Sequence, residues 1–252
     1  MGTLMRNTEP HGAFASDGVE LKMAKKPTWS FSALQSFDNC AFKHNETRVA
    51  KRIVDEWGPE AKEGTEIHER LEKRLLSGTP LTGTMSEYED ICKRIESAAG
   101  ELHPETKFCL TREMKPTQYK DWANGWFRGV IDVLKVNGDK AWVGDWKTGK
   151  VKNEYDQLEL FAGLVFIFYP DVKEVKANYI WLKTKELSPT QTYTREDLAK
   201  IWGKHIPRAM ELEKAFYENN WPTNVTGLCK SFCVINKLGK CPDPRVPKYV
   251  AK

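Results

Sequence analysis

The sequence has no apolar run long enough to cross a membrane. The longest nearly apolar stretch, Leu158 to Tyr169, has 12 residues and contains a glutamate, whereas a membrane-spanning helix needs about 20 apolar residues. The first residues, MGTLMRNTEP, lack the apolar centre of a secretory signal peptide. We therefore expect no membrane association and a cytoplasmic location.

A large charge excess and a dense set of cysteines are also missing. Lysine and arginine total 39 against 35 aspartate and glutamate, a net charge of +4. This excess neither proves nor excludes a nucleic-acid partner, so the placement of the basic residues matters more than their number. Six cysteines in 252 residues are too few for a secreted disulfide scaffold. We expect free thiols, unless some of them bind a metal.

The apolar pattern changes from helical to extended and back along the chain. Residues 1–26 show no sustained periodicity, which predicts a disordered leader before a single domain over 27–252, with a cysteine-containing tail at about 221–252. The order of elements predicts an α/β domain with a helical N-terminal lobe. Five helices are expected: one that begins at Ser30 or Ser32, then Pro59–Leu76, Glu87–Leu102, 158–166, and a last one from 194 to about Asn219 that is kinked at Pro207. Four strands are expected: Phe108–Met114, Trp126–Val136, Lys140–Lys147 and Val175–Lys183.

Two aspartates and a lysine stand on neighbouring predicted strands. Asp145 and Lys147 are two residues apart, and strand side chains alternate between faces, so both point the same way. Asp132 lies on the preceding strand, which the Asn137-Gly138 turn signal pairs with the next one in a hairpin. Two carboxylates and a lysine suit phosphodiester hydrolysis with Mg²⁺ or Mn²⁺. The alternative is a plain salt bridge between Asp132 and Lys147 across the strands.

Five short motifs follow one another between Trp29 and Cys241. They are SFSALQSFDNCAFKH (30–44), GTEIHERLEKRL (64–75), Gly129-x-x-Asp132, Asp145-x-Lys147 and DQLELF (156–161). Together they resemble the PD-(D/E)XK nuclease superfamily, and in particular its RecB-like exonuclease branch as found in tailed phages. The sequence departs from that branch at Phe161, where the family commonly has tyrosine.

This resemblance implies a fold and a set of roles. The fold would be a mixed central β-sheet flanked by helices. The implied metal ligands are His68, Asp132, Asp145 and the carbonyl of Trp146. Lys147 would position or activate the attacking water, and Gln157 would contact the substrate backbone or join the hydrogen-bond network of the site. For His68 alone, an ordinary histidine beside the core remains the alternative.

The function implied by the resemblance is a divalent-metal-dependent DNA exonuclease that acts in recombination or phage DNA processing, in the host-cell cytoplasm if the chain is phage-encoded. A structure-selective endonuclease on the same core is the first alternative. A catalytically inactive DNA-binding protein is the second. DNA is the expected partner in each case, and the sequence leaves the oligomeric state open.

Other residues are candidates for supporting roles. Glu113, at the end of the first predicted strand, is either an additional acidic residue near the metal or an ordinary exposed glutamate. Related iron–sulfur exonucleases use one N-terminal and three C-terminal cysteines. The corresponding cysteines here, at a different spacing, are expected to hold an iron–sulfur cluster or Zn²⁺, or to be free thiols: Cys40, Cys229, Cys233 and Cys241.

Basic residues gather near the end of the first motif and after the Asp145 strand. On a continuous helix the first group would share a face, which is either a solvated surface or a contact for DNA phosphates. The DNA-binding candidates are Lys43, Arg48, Lys51, Arg52 and Lys150.

Overall fold

The computed structural model of the protein describes residues 26–55 and 58–251. The predicted leader therefore lies outside the described residues, except for Lys26. No helix in these two ranges is long and apolar enough to span a bilayer.

Helices and strands alternate much as the sequence pattern indicates. The helices are α1 (Phe31–Asn39), α2 (Ala41–His44), α3 (Pro59–Ser77), α4 (Glu89–Ser97), α5 (Asp156–Phe168), α6 (Leu198–Glu218) and α7 (Val234–Lys237). A π-helical segment, Asn45–Val49, follows α2. The strands are β1 (Glu101–Leu110), β2 (Pro116–Thr117), β3 (Phe127–Asn137), β4 (Lys140–Lys147), β5 (Glu174–Trp181), β6 (Glu186–Leu187) and β7 (Gln191–Thr194).

The seven strands form one mixed sheet in the order β2-β1-β3-β4-β5-β6, with β7 also paired to β5. Strands β3 and β4 make the predicted hairpin, closed by the pair Asn137 and Lys140 around a turn in which Gly138 has a φ of 59°. Strand β5 runs parallel to β4, and α5 provides the crossover that a parallel pair requires. The α/β fold with a mixed sheet is thus confirmed.

Apolar side chains cover both faces of the sheet. One core cluster joins the sheet to α1, α5 and α6 through residues such as Leu34, Leu164 and Leu212. The other joins it to α3 and α4 through residues such as Leu71 and Ile91. Because both faces are buried, residues at the ends of the central strands lie between two helical layers.

The C-terminal end predicted for the third helix, Glu87–Leu102, is wrong. Helix α4 stops at Ser97, and β1 already begins at Glu101. Gly100 separates them with a φ of +107°, and a Cβ there would lie 2.7 Å from the carbonyl oxygen of Val136. A glycine in this conformation ends the helix and starts the strand.

Other boundaries also differ from the sequence prediction. The predicted strand Phe108–Met114 ends at Leu110, because the chain turns back where Met114 N–H bonds to the carbonyl of Thr111. The tail from residue 221 contains a 3₁₀ turn, Gly227–Lys230, and α7. A capping box opens the helical segment before α6: Thr194 N–H donates to Asp197 at 2.7 Å.

We expect Gly100→Ala to lower the free energy of unfolding by about 1–3 kcal/mol, because alanine is strained at this φ and its methyl group meets backbone. Thermal denaturation measures the change. Gly203→Ala in α6 is the matched control. Its added methyl group meets nothing within 4 Å, so helix propensity should raise the melting temperature slightly. Equal effects of the two substitutions would contradict this account of the α4–β1 junction.

Candidate active site

The site begins where the β3–β4 ladder ends. The last paired residues are Val133 and Gly144, so Asp132 and Asp145 come next on strands that separate. Asp132 Oδ2 fills the opening by accepting a hydrogen bond of 2.8 Å from the backbone N–H of Trp146. Both aspartates are therefore held beside each other by the main chain of β4.

Lys147 and Gln157 complete a closed set of contacts around Asp145. Lys147 forms an ion pair with Asp145, as their shared strand face predicts. Its Nζ also donates to Gln157 Oε1 at 2.9 Å, and Gln157 Nε2 donates to Asp145 Oδ1 at 3.1 Å. Gln157 lies in the first turn of α5, so this helix anchors the lysine beside the aspartate.

Asp145 is a strongly buried carboxylate, 3% exposed. Burial raises its pKa, the charge of Lys147 lowers it, and the negative charge of Asp132 raises it further, with a net upward shift. The lysine thus offsets only part of the cost of placing this charge in the interior. A site with negative charge in excess is suited to a cation.

His68, which lies on α3, contacts the site beside Asp132. Its Nδ1 lies 3.7 Å from Asp132 Oδ1. Burial lowers the pKa of His68, but the contact with Asp132 and the charge of Asp145 outweigh burial and raise the pKa. Gly64, one turn earlier, allows the close approach: a Cβ there would lie 2.9 Å from Thr148 Oγ1. The structure therefore brings together His68, Asp132, Asp145, Lys147 and Gln157, all predicted from sequence.

Glu105 is an acidic neighbour that sequence reasoning missed. It stands opposite Asp132, between the register pairs Pro104–Val133 and Thr106–Ile131, and has a φ of 46°. Burial raises its pKa, as do the charges of Asp132 and Glu72. No local pattern marks this glutamate, because a proline precedes it and its backbone leaves the regular strand conformation.

Glu113 is not at the end of a strand as predicted. It lies exposed in the turn after β1, and a hydrogen bond with Thr111 lowers its pKa. The acidic residue of the β1 region whose pKa the charge of Asp132 raises is Glu105. The cause of the misplacement is the early end of β1 at Leu110.

The basic residues do not form one helical face. The helical segment ends at Val49 and Lys51 has a φ of 54°, so Lys51 and Arg52 leave it. Arg52 is paired with Glu46, and Lys43 with Asp55 at 2.8 Å. Arg48 and Lys51 instead line a cleft beside α1. Lys150 is exposed after β4.

The four cysteines expected at a second metal site are neighbours around one cavity, although within the described residues no three of them stand in metal-binding geometry. Cys40, Cys229, Cys233 and Cys241 line one cavity of about 370 Å³. Burial raises the pKa of Cys241, and the other three thiols lie near enough to raise it further. All six cysteines of the chain are free thiols, and Cys92 and Cys109 are buried elsewhere.

The acidic site fits a hard divalent cation by its chemistry. Its donors are carboxylates and one imidazole, which suit Mg²⁺ or Mn²⁺. Within 26–55 and 58–251, no three His, Cys, Asp or Glu side chains stand in metal-binding geometry. In this structure Asp145 is paired with the ammonium of Lys147, and one carboxylate oxygen of Asp132 accepts a hydrogen bond from the N–H of Trp146. A cation would have to compete with the lysine for Asp145.

Comparison with known proteins finds no matching family model and no matching curated protein. Among solved structures, a protein from Eubacterium rectale that is provisionally named an exonuclease is 14% identical, with 81% of this chain and 88% of that chain covered and a TM-score of 0.47. The protein SSO0001 is 14% identical, with 85% and 86% covered and a TM-score of 0.45. Neither similarity assigns an activity to this chain.

We expect Asp145→Asn to leave the melting temperature at neutral pH unchanged or raise it. The raised pKa means that the ionised carboxyl opposes folding, and an amide removes that charge. Asp243→Asn is the matched control, because Asp243 is also buried but hydrogen bonds from Arg245 hold its pKa well below the usual range. That substitution should lower the melting temperature. A larger loss for Asp145→Asn than for Asp243→Asn would mean that Asp145 is a structural ion-pair residue.

Proposed function

We propose that the protein is a divalent-metal-dependent DNA exonuclease. The observation that supports this most is the convergence of Asp132, Asp145, Lys147 and Gln157 at the open end of the β3–β4 ladder. These are the residues to which the PD-(D/E)XK resemblance gives roles, and they come from separate parts of the chain. A cross-strand salt bridge alone would not require a second carboxylate or the glutamine.

The metal ligands in this proposal are Asp132, Asp145, His68 and the carbonyl of Trp146, with Glu105 close by. A bound Mg²⁺ or Mn²⁺ would polarise the phosphodiester and lower the pKa of the attacking water. Each carboxylate is held by a hydrogen bond, Asp132 by the backbone of β4 and Asp145 by Gln157 of α5, and a cation would displace Lys147 from Asp145.

In this proposal Lys147 orients the attacking water. Its ammonium is anchored by Gln157 at 2.9 Å and lies 5.0 Å from the ring centre of Tyr179, so its position is defined from two sides. In hydrolysis the water oxygen bonds to phosphorus, the bond from phosphorus to the leaving oxygen breaks, and the leaving oxygen takes a proton. Lys147 orients the water and stabilises the negative charge that develops on the phosphate.

Digestion of end-labelled linear DNA, with a closed circle in parallel, tests the proposal in Mg²⁺, Mn²⁺ and EDTA. An exonuclease degrades the linear DNA only with metal and leaves the circle intact. Cutting of the circle would favour the structure-selective endonuclease. Binding of DNA without cleavage in either metal would favour the inactive DNA-binding protein. A role in recombination or phage DNA processing is part of the proposal and needs a genetic test.

We expect Lys147→Ala to reduce the cleavage rate about 10²- to 10⁴-fold, the range of a positioned proton-transfer or orienting group, with little loss of DNA binding. Initial rates on linear DNA measure the effect. Lys183→Ala removes an exposed lysine after β5 and serves as the control for net charge. Similar rates for both variants would remove Lys147 from the mechanism.

The four cysteines are proposed to hold an iron–sulfur cluster or Zn²⁺ that joins the N-terminal helices to the tail at about 221–252. Cys40 precedes α2, whereas the other three belong to the tail. These parts also contact each other directly: Phe42 N–H donates to the carbonyl of Pro222 at 3.0 Å, Asn224 Nδ2 donates to the carbonyl of Asp38 at 3.4 Å, and the Trp221 ring lies against Phe37 and His44. A thiolate-bound metal would add stability where little apolar surface is buried.

We expect anaerobically purified protein to contain iron with visible absorption, or to contain zinc and be colourless. Elemental analysis and absorption spectra distinguish the two. Cys229→Ser with Cys233→Ser should remove the metal and lower the melting temperature. Metal-free wild-type protein with the same melting temperature as this double variant would show that the cysteines are ordinary thiols.

A further inference from the structure

A cleft of about 670 Å³ lies between the N-terminal helices and β3. Gln157 lines it, so the cleft opens beside the contacts of Asp145 and Lys147. Gly129 and Val130 of β3 form part of its wall. A volume in this range holds a ligand of small-molecule size, which corresponds to one or two nucleotides and not to a duplex.

The charges along the cleft are of one sign. Its described lining includes Lys26, Arg48, Lys51 and Arg128 but no aspartate or glutamate, although acidic residues are nearly as numerous as basic ones in the whole chain. None of the four forms an ion pair within the described part of the chain. The cleft is therefore suited to an anionic ligand.

An exposed tryptophan lies against Arg128, one of the residues that line this cleft. Trp122 is 71% exposed, which is unusual for so large an apolar side chain. One face of its ring packs on the Arg128 guanidinium, 4.3 Å from the ring centre. Most of the remaining ring surface is exposed within the described part of the chain, as on an aromatic platform that stacks with a nucleic-acid base.

The loop that presents Trp122 is rigidly built. Asp121 Oδ1 accepts hydrogen bonds from the backbone N–H groups of Ala123 and Asn124, at 3.2 and 2.9 Å, and its Oδ2 accepts one from Thr117 at 2.7 Å. Lys26 Nζ donates to the carbonyl of Ala123 at 3.2 Å, which joins the loop to the edge of the cleft. These hydrogen bonds hold the backbone on both sides of Trp122.

Arg128 is the positioning residue of this platform. Its Nε donates to the carbonyl of Tyr119 at 3.0 Å and its Nη2 to the carbonyl of Asp121 at 2.7 Å, so the guanidinium lies under the ring. Arg128 and Asp132 are four residues apart on β3, about 13 Å along the strand. A DNA strand that ran along β3 from the site beside Asp132 would therefore reach Arg128 and the Trp122 ring that packs on it.

We propose that the cleft binds the unpaired end of a DNA strand, with a base stacked on Trp122 and phosphates contacted by Lys26, Arg48 and Lys51. This inference rests on the proposed nuclease function and names its substrate class, a DNA with a single-stranded end in preference to a blunt duplex. An unpaired base can lay its face on Trp122, whereas the bases of a blunt duplex are already stacked on one another.

Fluorescence anisotropy with a labelled poly(dT) strand and a blunt hairpin duplex tests the inference. The Lys147→Ala protein serves as background, so that cleavage does not remove the probe. We expect Trp122→Ala to weaken binding of the single strand about 5- to 100-fold, and Trp122→Phe to restore most of it. Leu187→Ala removes an exposed apolar side chain at the sheet edge and should change nothing. Weak duplex binding should be insensitive to Trp122.

Two results would overturn the inference: unchanged binding of the single strand by Trp122→Ala, or an equal loss for single strand and duplex. The wild-type cleavage assay separates this failure from that of the proposed function. If the wild-type protein and Trp122→Ala cleave linear DNA equally well, the proposed nuclease function stands and the stacking role of Trp122 is wrong. If the protein binds the single strand through Trp122 but cleaves no DNA, the stacking role of Trp122 stands and the proposed nuclease function is wrong.

Discussion

The structure depends on where two central strands stop pairing. Beyond Val133 and Gly144 the β3–β4 ladder opens, and two carboxylates lie in the gap, Asp132 half-buried and Asp145 almost fully buried. Like charges in such a place repel each other and lose hydration. The main-chain N–H of Trp146, the ammonium of Lys147 and the amide of Gln157 offset part of this cost.

The two helical layers supply what the strands alone do not. Helix α3 lies on one face and brings His68, while α5 lies on the other and brings Gln157 in its first turn. The close approach of α3 to the end of β4 is possible because position 64 is a glycine. The site is therefore a property of the layered fold, since no single element contains more than two of its side chains.

The sequence predicted the parts of the site that belong to regular elements. The strand β4 has the bounds predicted from its β-branched and aromatic residues, and the turn at Gly138 fixes the register that places Asp132 opposite Asp145. Glu105 was not predicted at the site, because its backbone leaves the strand conformation. Glu113 was wrongly predicted at the end of a strand, because β1 starts and ends earlier than its apolar residues suggest. The ion pairs of Lys43 and Arg52 were not visible either, because they depend on how the chain turns after the π-helical segment. Exposure of Trp122 likewise follows from a loop geometry that periodicity does not encode.

The central claim is that the carboxylates at the open ladder form a site for a divalent cation. Isothermal titration of Mn²⁺ into the wild-type protein and into Asp132→Asn tests it without reference to any activity, and Asp139→Asn, an exposed residue of the β3–β4 turn, controls for lost negative charge. The account predicts a saturable site in the wild type and in Asp139→Asn that is weakened at least about tenfold in Asp132→Asn. Absence of binding in the wild type, or equal affinity in all three proteins, would contradict it.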